Sequence, residues 1–329
     1  MAQAEFDVLG IGNAIVDVLA RSEDAFLGEH GLAKGSMTLI DAAQADALYD
    51  RMGPGVEVSG GSVANSIAGV ASLGGRAAYI GKVRDDELGR IFAHDIRAAG
   101  VAFDTPPAAD GPGTARCLIL VTPDAQRTMS TYLGACTGLG PEDIDGERVA
   151  ASAVTYLEGY LWDPPRAKEA FRVAMDAAHA AGRRVALTLS DSFCVERHRD
   201  EFLELVDGRV DVLFANEAEI RALYRTDLEA AVAAVRGRCE IAVVTRSAEG
   251  CLVVTRDAVA EVPAKRVEHV VDTTGAGDLF AAGFLHGLTR GAPLADCARI
   301  GAVAAAEVIS HYGARPETPL RDLAGSPAT

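Results

Sequence analysis

The sequence contains no apolar run of about 18 residues, the length that a membrane-spanning helix requires. Residues 1–7 lack the basic and apolar regions of a secretory signal peptide. The six cysteines form no C-x-x-C pair, which disfavours a zinc site or a disulfide framework and favours reduced thiols. These absences predict a cytoplasmic protein with no membrane partner.

Basic residues are also scarce. Lysine and arginine together number 31 against 47 aspartates and glutamates, which gives a formal net charge of −16. Nucleic acids and anionic membranes bind clustered Lys and Arg, so the composition predicts that neither is a partner. A bound nucleotide would need a local positive potential, which glycine amides, a helix dipole, a few arginines and Mg²⁺ can supply.

Two common nucleotide motifs are incomplete. Residues 10–12 read Gly-Ile-Gly after a strand-like run, but Ile15 stands at the third glycine position of a dinucleotide fingerprint. Residues 81–82 read Gly-Lys, but Val83 follows, and Arg76 stands where a P-loop has its first glycine. The sequence therefore excludes a P-loop and disfavours an NAD-dependent oxidoreductase.

A glycine-rich turn near the C-terminus carries the clearest chemical signal. A strand-like run, 267–271, precedes it, and apolar residues at helical spacing follow it. The start of a helix binds anions through its unpaired N–H groups, and Gly275 and Gly277 allow close approach. Asp278 would repel a phosphate, a cost that makes sense if it accepts the proton of a hydroxyl attacking that phosphate. By position alone, a helix-stabilising aspartate is equally consistent.

Strand-like and helical patterns alternate along most of the 329 residues, which predicts an α/β fold with a mostly parallel sheet. Ligands of such sheets bind at the carboxyl ends of the strands. The alternation breaks near the N-terminus and again at 114–121 and 128–133, which predict a hairpin in a small separate sheet. Residues 310–329 are expected to form a loose tail.

Other polar and glycine residues occur at the predicted ends of strands. Gly60 and Gly61 precede a helix in which Asn65 would face the same opening, although a simple glycine turn is the alternative. Asn216 and Glu219, three apart on a new helix, face the same side and could hold a water-bound Mg²⁺. A helix cap and an exposed glutamate are the simpler interpretation of this pair.

Together these residues resemble the PfkB, or ribokinase-like, kinases, which phosphorylate sugars and nucleosides from ATP. Residues 272–278, Asp-Thr-Thr-Gly-Ala-Gly-Asp, resemble the C-terminal motif of that family. Residues 60–66, Gly-Gly-Ser-Val-Ala-Asn-Ser, resemble its N-terminal motif in the form found in adenosine kinases. The resemblance implies one kinase domain over 1–329, a three-layer sandwich with a mostly parallel central sheet. It also implies a small β-sheet lid from segments at about 13–40 and 104–135.

The resemblance implies that Asp278 is the general base and that Gly275, Ala276 and Gly277 form an anion hole. Residues expected on the substrate side are Asn13, Asp17, Gly60, Gly61, Ser62, Asn65, Met129, Leu133 and Tyr160. Those expected on the ATP side are Arg127, Asn216, Thr245, Gly250, Thr274, Gly275 and Gly277. Glu219 and Asn216 would hold Mg²⁺ through water. Ser247 departs from the family loop that contains Thr245 and Gly250, and Tyr160 is equally consistent with a core residue.

The implied reaction is ATP-dependent phosphorylation of the primary hydroxyl of a nucleoside, with adenosine giving AMP as the best match. A sugar kinase of the ribokinase or fructokinase type and an inosine or guanosine kinase are alternatives. A nucleoside-binding regulator without catalysis is a further one. The resemblance implies Mg²⁺ and ATP, and it leaves open both activation by K⁺ and the choice between a monomer and a homodimer.

Overall fold

The computed structural model describes residues 4–124 and 126–324, and their strands form two sheets. The strands are β1 (Phe6–Ile11), β2 (Ile15–Arg21), β3 (Met37–Leu39), β4 (Gly55–Gly60), β5 (Ala77–Ile80), β6 (Val101–Phe103), β7 (Ala115–Val121), β8 (Arg127–Tyr132), β9 (Ser152–Glu158), β10 (Arg184–Thr188), β11 (Val212–Asn216), β12 (Ile241–Thr245), β13 (Cys251–Val254) and β14 (Val259–Val262). The α-helices are α1 (Asp24–Glu29), α2 (Ala42–Tyr49), α3 (Ser62–Ser72), α4 (Glu87–Ala98), α5 (Gly146–Ala150), α6 (Pro165–Ala180), α7 (Ser192–Gly208), α8 (Glu217–Tyr224), α9 (Leu228–Val235), α10 (Ala276–Thr289), α11 (Leu294–Val308) and α12 (Leu320–Leu323).

The large sheet has nine strands in the order β14-β13-β12-β11-β10-β9-β1-β5-β6. Neighbours from β12 to β6 are parallel, whereas β13 pairs antiparallel with both β12 and β14. Parallel neighbours need crossover connections, and helices supply them here, as the alternating sequence pattern predicts. The carboxyl ends of β1, β9, β11 and β12 therefore meet at one edge of the sheet.

Helices cover both faces of this sheet. Consecutive residues of a strand point to opposite faces, and Val8 and Leu9 of β1 enter two different cores. The core around Val8 contains residues of α3, α4, α10 and α11, and the core around Leu9 contains residues of α6, α7, α8 and α9. The predicted three-layer α/β sandwich is confirmed.

The small sheet has five strands in the order β3-β8-β7-β2-β4. One of its faces is buried, since Val16, Val18 and Leu118 belong to the first core. The segments expected to form a small sheet, about 13–40 and 104–135, supply four of these strands. Strand β4 lies outside them and was missed, because its sequence includes two glycines and a glutamate, residue types that strands disfavour. Its pairing with β2 supplies the stability that its composition does not.

Two local expectations were wrong. Residues 267–271 form no strand; the N–H of Val271 instead donates to the carbonyl of Ile309, 2.8 Å away at the end of α11. Residues 310–324 are not a loose tail, since Leu320 is buried and its N–H donates to Ser72 Oγ at 2.9 Å. Residues 325–329 lie outside the described part of the chain. Within that part, no helix is both long and apolar enough to cross a membrane.

Candidate active site

The two glycine motifs meet at Asp278. Its Oδ1 accepts a hydrogen bond from Ser62 Oγ at 2.6 Å, and its Oδ2 accepts one from Asn65 Nδ2 at 3.1 Å. Both donors lie in the first turns of α3, whereas Asp278 lies in the first turn of α10. Burial raises the pKa of Asp278 to about 6, although Ser62, Asn65 and the charge of Arg315 act in the opposite direction. The arrangement holds one carboxylate in a fixed position at the start of two helices.

The turn before α10 has the shape of an anion site, but two of its own amides already donate to other groups of the turn. Gly275 caps the helix at φ 73°, a left-handed conformation that glycine adopts at little cost. The N–H of Ala276 donates to the carbonyl of Thr273 at 3.3 Å, and the N–H of Thr274 donates to Asp272 Oδ1 at 3.0 Å. Gly277 is exposed, and a Cβ there would meet no atom within 4 Å. The open side of the turn is therefore at Gly277.

Because Gly60 and Gly61 have no side chains, other groups of the protein can lie close to their backbone. A Cβ on Gly60 would lie 2.3 Å from the carboxyl carbon of Asp17. Gly61 has φ 97°, and a Cβ there would lie 2.2 Å from the carbonyl oxygen of Asn13. The glycine pair thus allows Asn13 and Asp17, both predicted on the substrate side, to lie against the turn that carries Ser62.

A buried glutamate that the sequence analysis missed holds Asn13. Glu158, at the end of β9, is 1% exposed. Its Oε1 accepts from Asn13 Nδ2 at 2.6 Å, and its Oε2 accepts from the N–H of Val63 at 3.0 Å. Burial raises its pKa to about 7, against the effect of these two bonds. A glutamate ending an apolar strand at the ligand-binding edge was the available signal.

Arg127 connects the small sheet to the turn before α10. Its Nε lies 3.0 Å from Asp272 Oδ1 in an ion pair whose two side chains are 8% and 2% exposed. Asp272 Oδ2 also accepts from the N–H of Gly313 at 2.9 Å. Arg127 Nη1 is buried without a hydrogen-bond partner, a costly state that an incoming anion would relieve. The expected contact of Arg127 with ATP stays a prediction.

Asp17 shares this charged environment. It is 9% exposed, and burial raises its pKa to about 7, while the charges of Arg315 and then Arg127 lower it. Arg315 comes from the segment that was expected to be a loose tail. Its nearest partners are backbone carbonyls of Ser59 and Ala64, on either side of the glycine pair. Nothing in the local sequence around Arg315 marks it as a site residue.

Asn216 and Glu219 form a capping box at the start of α8. Asn216 Nδ2 donates to Glu219 Oε1 at 2.6 Å, and the N–H of Glu219 donates to Asn216 Oδ1 at 2.9 Å. Glu219 is buried, which raises its pKa to about 7, and Asp191 and Asp278 act in the same direction. Among the described residues, no group of three or more His, Cys, Asp or Glu could hold a metal. The residues fit Mg²⁺, which takes one or two carboxylates and completes its shell with water and phosphate oxygens.

The loop after β12 is shaped by protein contacts. Thr245 ends β12 and pairs with Cys251. Gly250 has φ 90°, and a Cβ there would lie 2.1 Å from the carbonyl oxygen of Val262. This approach explains why the position needs glycine, and it leaves the expected contact of Gly250 with ATP a prediction.

The expected substrate-side residues Met129, Leu133 and Tyr160 do not form one cluster. Met129 packs on the small sheet against Cys117 and its neighbours. Leu133 follows β8, and its carbonyl accepts from the N–H of Cys136 at 3.2 Å. Tyr160 packs against the second core, and its hydroxyl donates to the carbonyl of Ser190 at 3.4 Å. The surroundings of Tyr160 favour the structural interpretation over stacking on a purine.

Comparisons with known proteins agree that this chain is similar to kinases of one family. The pfkB family of carbohydrate kinases matches residues 35–321. The chain is 58% identical to an adenosine kinase from Sinorhizobium meliloti, whose structure matches with a TM-score of 0.91 over 97% of this chain and 98% of the other. A probable sugar kinase from Rhizobium etli is 53% identical, with a TM-score of 0.92 and coverage of 97% and 98%. An uncharacterized sugar kinase from Archaeoglobus fulgidus is 32% identical over 76% of this chain and 98% of its own.

Proposed function

The chain belongs to the pfkB family of carbohydrate kinases, phosphotransferases that transfer a phosphoryl group from ATP to an alcohol, and we propose that its acceptor is the 5′-hydroxyl of adenosine. The products would be AMP and ADP. Two points support a nucleoside over a free sugar: the composition of one face of the small sheet, and the similarity to an adenosine kinase.

The apolar face of the small sheet, opposite the face in the first core, is the observation that carries the proposal. Strand β2 alternates, so Ile15 and Leu19 lie on the same face as Asp17. On β8, Met129 lies on the same face as Arg127. The apolar side chains of this face pack together in one cluster: Ile15, Leu19, Cys117, Ile119, Val121 and Met129.

This apolar face is turned towards the charged groups of the cleft, because Arg127 pairs with Asp272 and Asp17 interacts electrostatically with Asp278. A purine ring can be buried against such a face. A free sugar would leave the face largely uncovered, since sugar hydroxyls need hydrogen-bonding partners. The 58% identity to the adenosine kinase from Sinorhizobium meliloti supports the same choice.

The proposed reaction uses Asp278 as the proton acceptor. The acceptor oxygen bonds to the γ-phosphorus as the bond from that phosphorus to the β–γ bridging oxygen breaks, and ADP leaves. The hydroxyl proton passes to Asp278, which Ser62 and Asn65 hold in place. With its pKa at about 6, the carboxyl group is mostly ionised at neutral pH, as a base must be.

Two buried atoms without partners support the placement of the ligands. Asn65 Oδ1 is buried and accepts no hydrogen bond, so it can accept one from a hydroxyl of the nucleoside. Arg127 Nη1 can donate to the phosphoryl group, and the amides of the turn at Gly275 and Gly277 lie at the positive end of α10. We propose that the small sheet is a lid that excludes water from this cleft.

Glu219 and Asn216 would hold Mg²⁺ through water, and the ion would neutralise charge on the phosphates. The capping box fixes the carboxylate of Glu219 through two bonds from Asn216. The box also begins α8, so the same residues serve helix stability and ligand binding.

Parallel assays of ADP release from Mg·ATP with adenosine, inosine, guanosine, ribose and fructose test the proposal. A kcat/KM for adenosine at least tenfold above that for either sugar is expected. Met129→Asn places a polar group on the apolar face, so it should raise the KM for adenosine while leaving that for ribose unchanged. Val259→Asn, on an exposed residue of the edge strand β14, is the control and should change neither.

A preference for ribose or fructose would keep the kinase chemistry and refute the nucleoside assignment. An equal effect of Met129→Asn on adenosine and ribose would show that the apolar face does not contact the base. No turnover with any of the five acceptors, together with measurable binding of adenosine, would favour a nucleoside-binding protein without catalysis.

A further inference from the structure

We propose that Arg315 is a positioning residue for the reaction, because it fixes the glycine turn whose Ser62 and Asn65 hold Asp278 and it brings a positive charge to this site. The inference rests on the proposed function, because it takes Asp278 to be the base. Arg315 lies after α11, more than 30 residues from the turn before α10 in sequence.

The guanidinium of Arg315 bridges both ends of the glycine turn. Its Nε and Nη2 donate to the carbonyl oxygen of Ser59 at 2.9 and 2.6 Å. Its Nη1 donates to the carbonyl oxygen of Ala64 at 2.9 Å, and Nη2 also donates to Ser59 Oγ at 2.9 Å. Ser59 precedes Gly60 and Gly61, and Ala64 follows them. A planar fork with several N–H groups can make these bonds together, whereas an ammonium group cannot match their geometry.

The bridged turn carries the two donors to Asp278. Ser62 lies between the two carbonyls that Arg315 binds, and Asn65 follows Ala64 directly. The bonds of Ser62 and Asn65 to the carboxylate are 2.6 and 3.1 Å long, so a shift of the turn by a fraction of this length would break them. Arg315 therefore controls the position of the base through the backbone of α3.

Arg315 also brings a positive charge to a site that contains several carboxyl groups. The titratable groups that interact with Asp278 are Asp17, Glu158, Glu219, Tyr156 and Arg315. Three of these are carboxyl groups, and the negative charge of Asp278 raises the pKa of each of them. Arg315 also interacts with Asp95 and Tyr79, and Arg127 acts on Asp17. The positive charge of Arg315 lowers the pKa of Asp278 against burial, which raises it.

The segment that carries Arg315 is anchored away from the cleft. Glu307 Oε1, in α11, accepts from the N–H groups of Glu317 and Thr318 at 3.0 and 2.8 Å. His311 Nε2 lies 3.2 Å from Glu307 Oε2. These contacts hold the backbone on both sides of Arg315 without touching Asp278. Glu307 is therefore a suitable control position, because its substitution disturbs the segment and leaves the positive charge of Arg315 intact.

The test measures kcat and KM for adenosine from pH 5 to pH 9 in the full-length parent and in Arg315→Gln, Arg315→Lys and Glu307→Gln. The acid limb is the fall of kcat at low pH. In Arg315→Gln the positive charge is lost, so this limb should move to higher pH by about one unit. Arg315→Lys keeps the charge and loses part of the fork, so its limb should stay within about 0.3 pH unit while the KM rises. Glu307→Gln should lower thermal stability and leave the limb in place.

An acid limb that stays unmoved in Arg315→Gln would overturn the inference, as would an equal shift in Glu307→Gln. If Arg315→Gln does not fold, Arg315→Lys decides, since a shift of its limb by a full unit, or an unchanged KM, contradicts the proposed roles. The activity of the parent distinguishes a failure of this inference from a failure of the proposed function. A parent without activity, or without an acid limb, refutes Asp278 as the base, whereas an active parent with unaffected variants refutes only the role of Arg315.

Discussion

Replacing Asp278 with Asn removes the proposed base while preserving the shape of its site. The new amide oxygen can accept from Ser62 Oγ as the carboxylate does. Asn65 Oδ1 has no partner, so Asn65 can turn its amide and accept a bond from the new amide nitrogen. The variant should therefore fold, and its loss of activity can be assigned to the lost proton acceptor.

General base catalysis contributes about 10²–10⁴ in rate, so kcat for Asp278→Asn should fall by about a thousandfold, or about 4 kcal/mol in activation free energy. The assay is ADP release at saturating Mg·ATP and adenosine at pH 7.5, with ATP affinity measured by calorimetry and expected to stay unchanged. Asp257→Asn, on an exposed residue between β13 and β14, is the matched control and should keep parental activity. A variant that retains more than about a tenth of the parental kcat would falsify the assignment of the base.

The pH profile of the parent gives a second, independent measurement. With a pKa of about 6, raised by burial, Asp278 is ionised in most molecules at pH 7 and in few at pH 5. A base acts only in its deprotonated form, so kcat should fall about tenfold between pH 7 and pH 5. The residual activity of Asp278→Asn should lack this limb. A parental kcat that is flat over the same range would contradict the reasoning.

Two further substitutions test the packing around the site. Gly61→Ala should lower the free energy of unfolding by about 3 kcal/mol or more, because its φ is 97° and its Cβ would lie 2.2 Å from the carbonyl oxygen of Asn13. Gly74→Ala, at φ 82° with no atom within 4 Å of its Cβ, should lower the free energy of unfolding by only about 1 kcal/mol. Equal losses for the two glycine variants in urea unfolding would argue against the clash at Gly61. Burial raises the pKa of Asp17 to about 7, against the charges of Arg315 and Arg127. The parent therefore loses stability as pH rises from about 4, where Asp17 ionises in the unfolded chain, to about 7, where it also ionises in the folded state. Asp17→Asn should therefore gain more thermal stability over the parent at pH 8 than at pH 5, and a gain independent of pH in calorimetry would count against a buried, ionisable Asp17.

Local patterns in the sequence predicted the elements and most of the residues that carry the proposed chemistry. Hydrophobic periodicity distinguishes strands from helices over a few residues, and their alternation indicated the layered fold. The motifs around Gly60 and Asp278 are short, so they could be recognised in the sequence before any contact between them was known. Periodicity also misled at 267–271, where five residues read as a strand but form none.

The cleft itself depends on contacts between distant parts of the chain. Asn13 and Glu158 are 145 residues apart, and Arg315 and Ser59 are 256 residues apart. A single glutamate has only its place at the end of a strand as a signal, and a single arginine in a polar segment has none. Their positions follow from the order of the strands and from the packing of the C-terminal segment after α11. The sequence by itself determined which residues could do the chemistry, and the tertiary structure decided which buried charges surround them, because those depend on the fold as a whole.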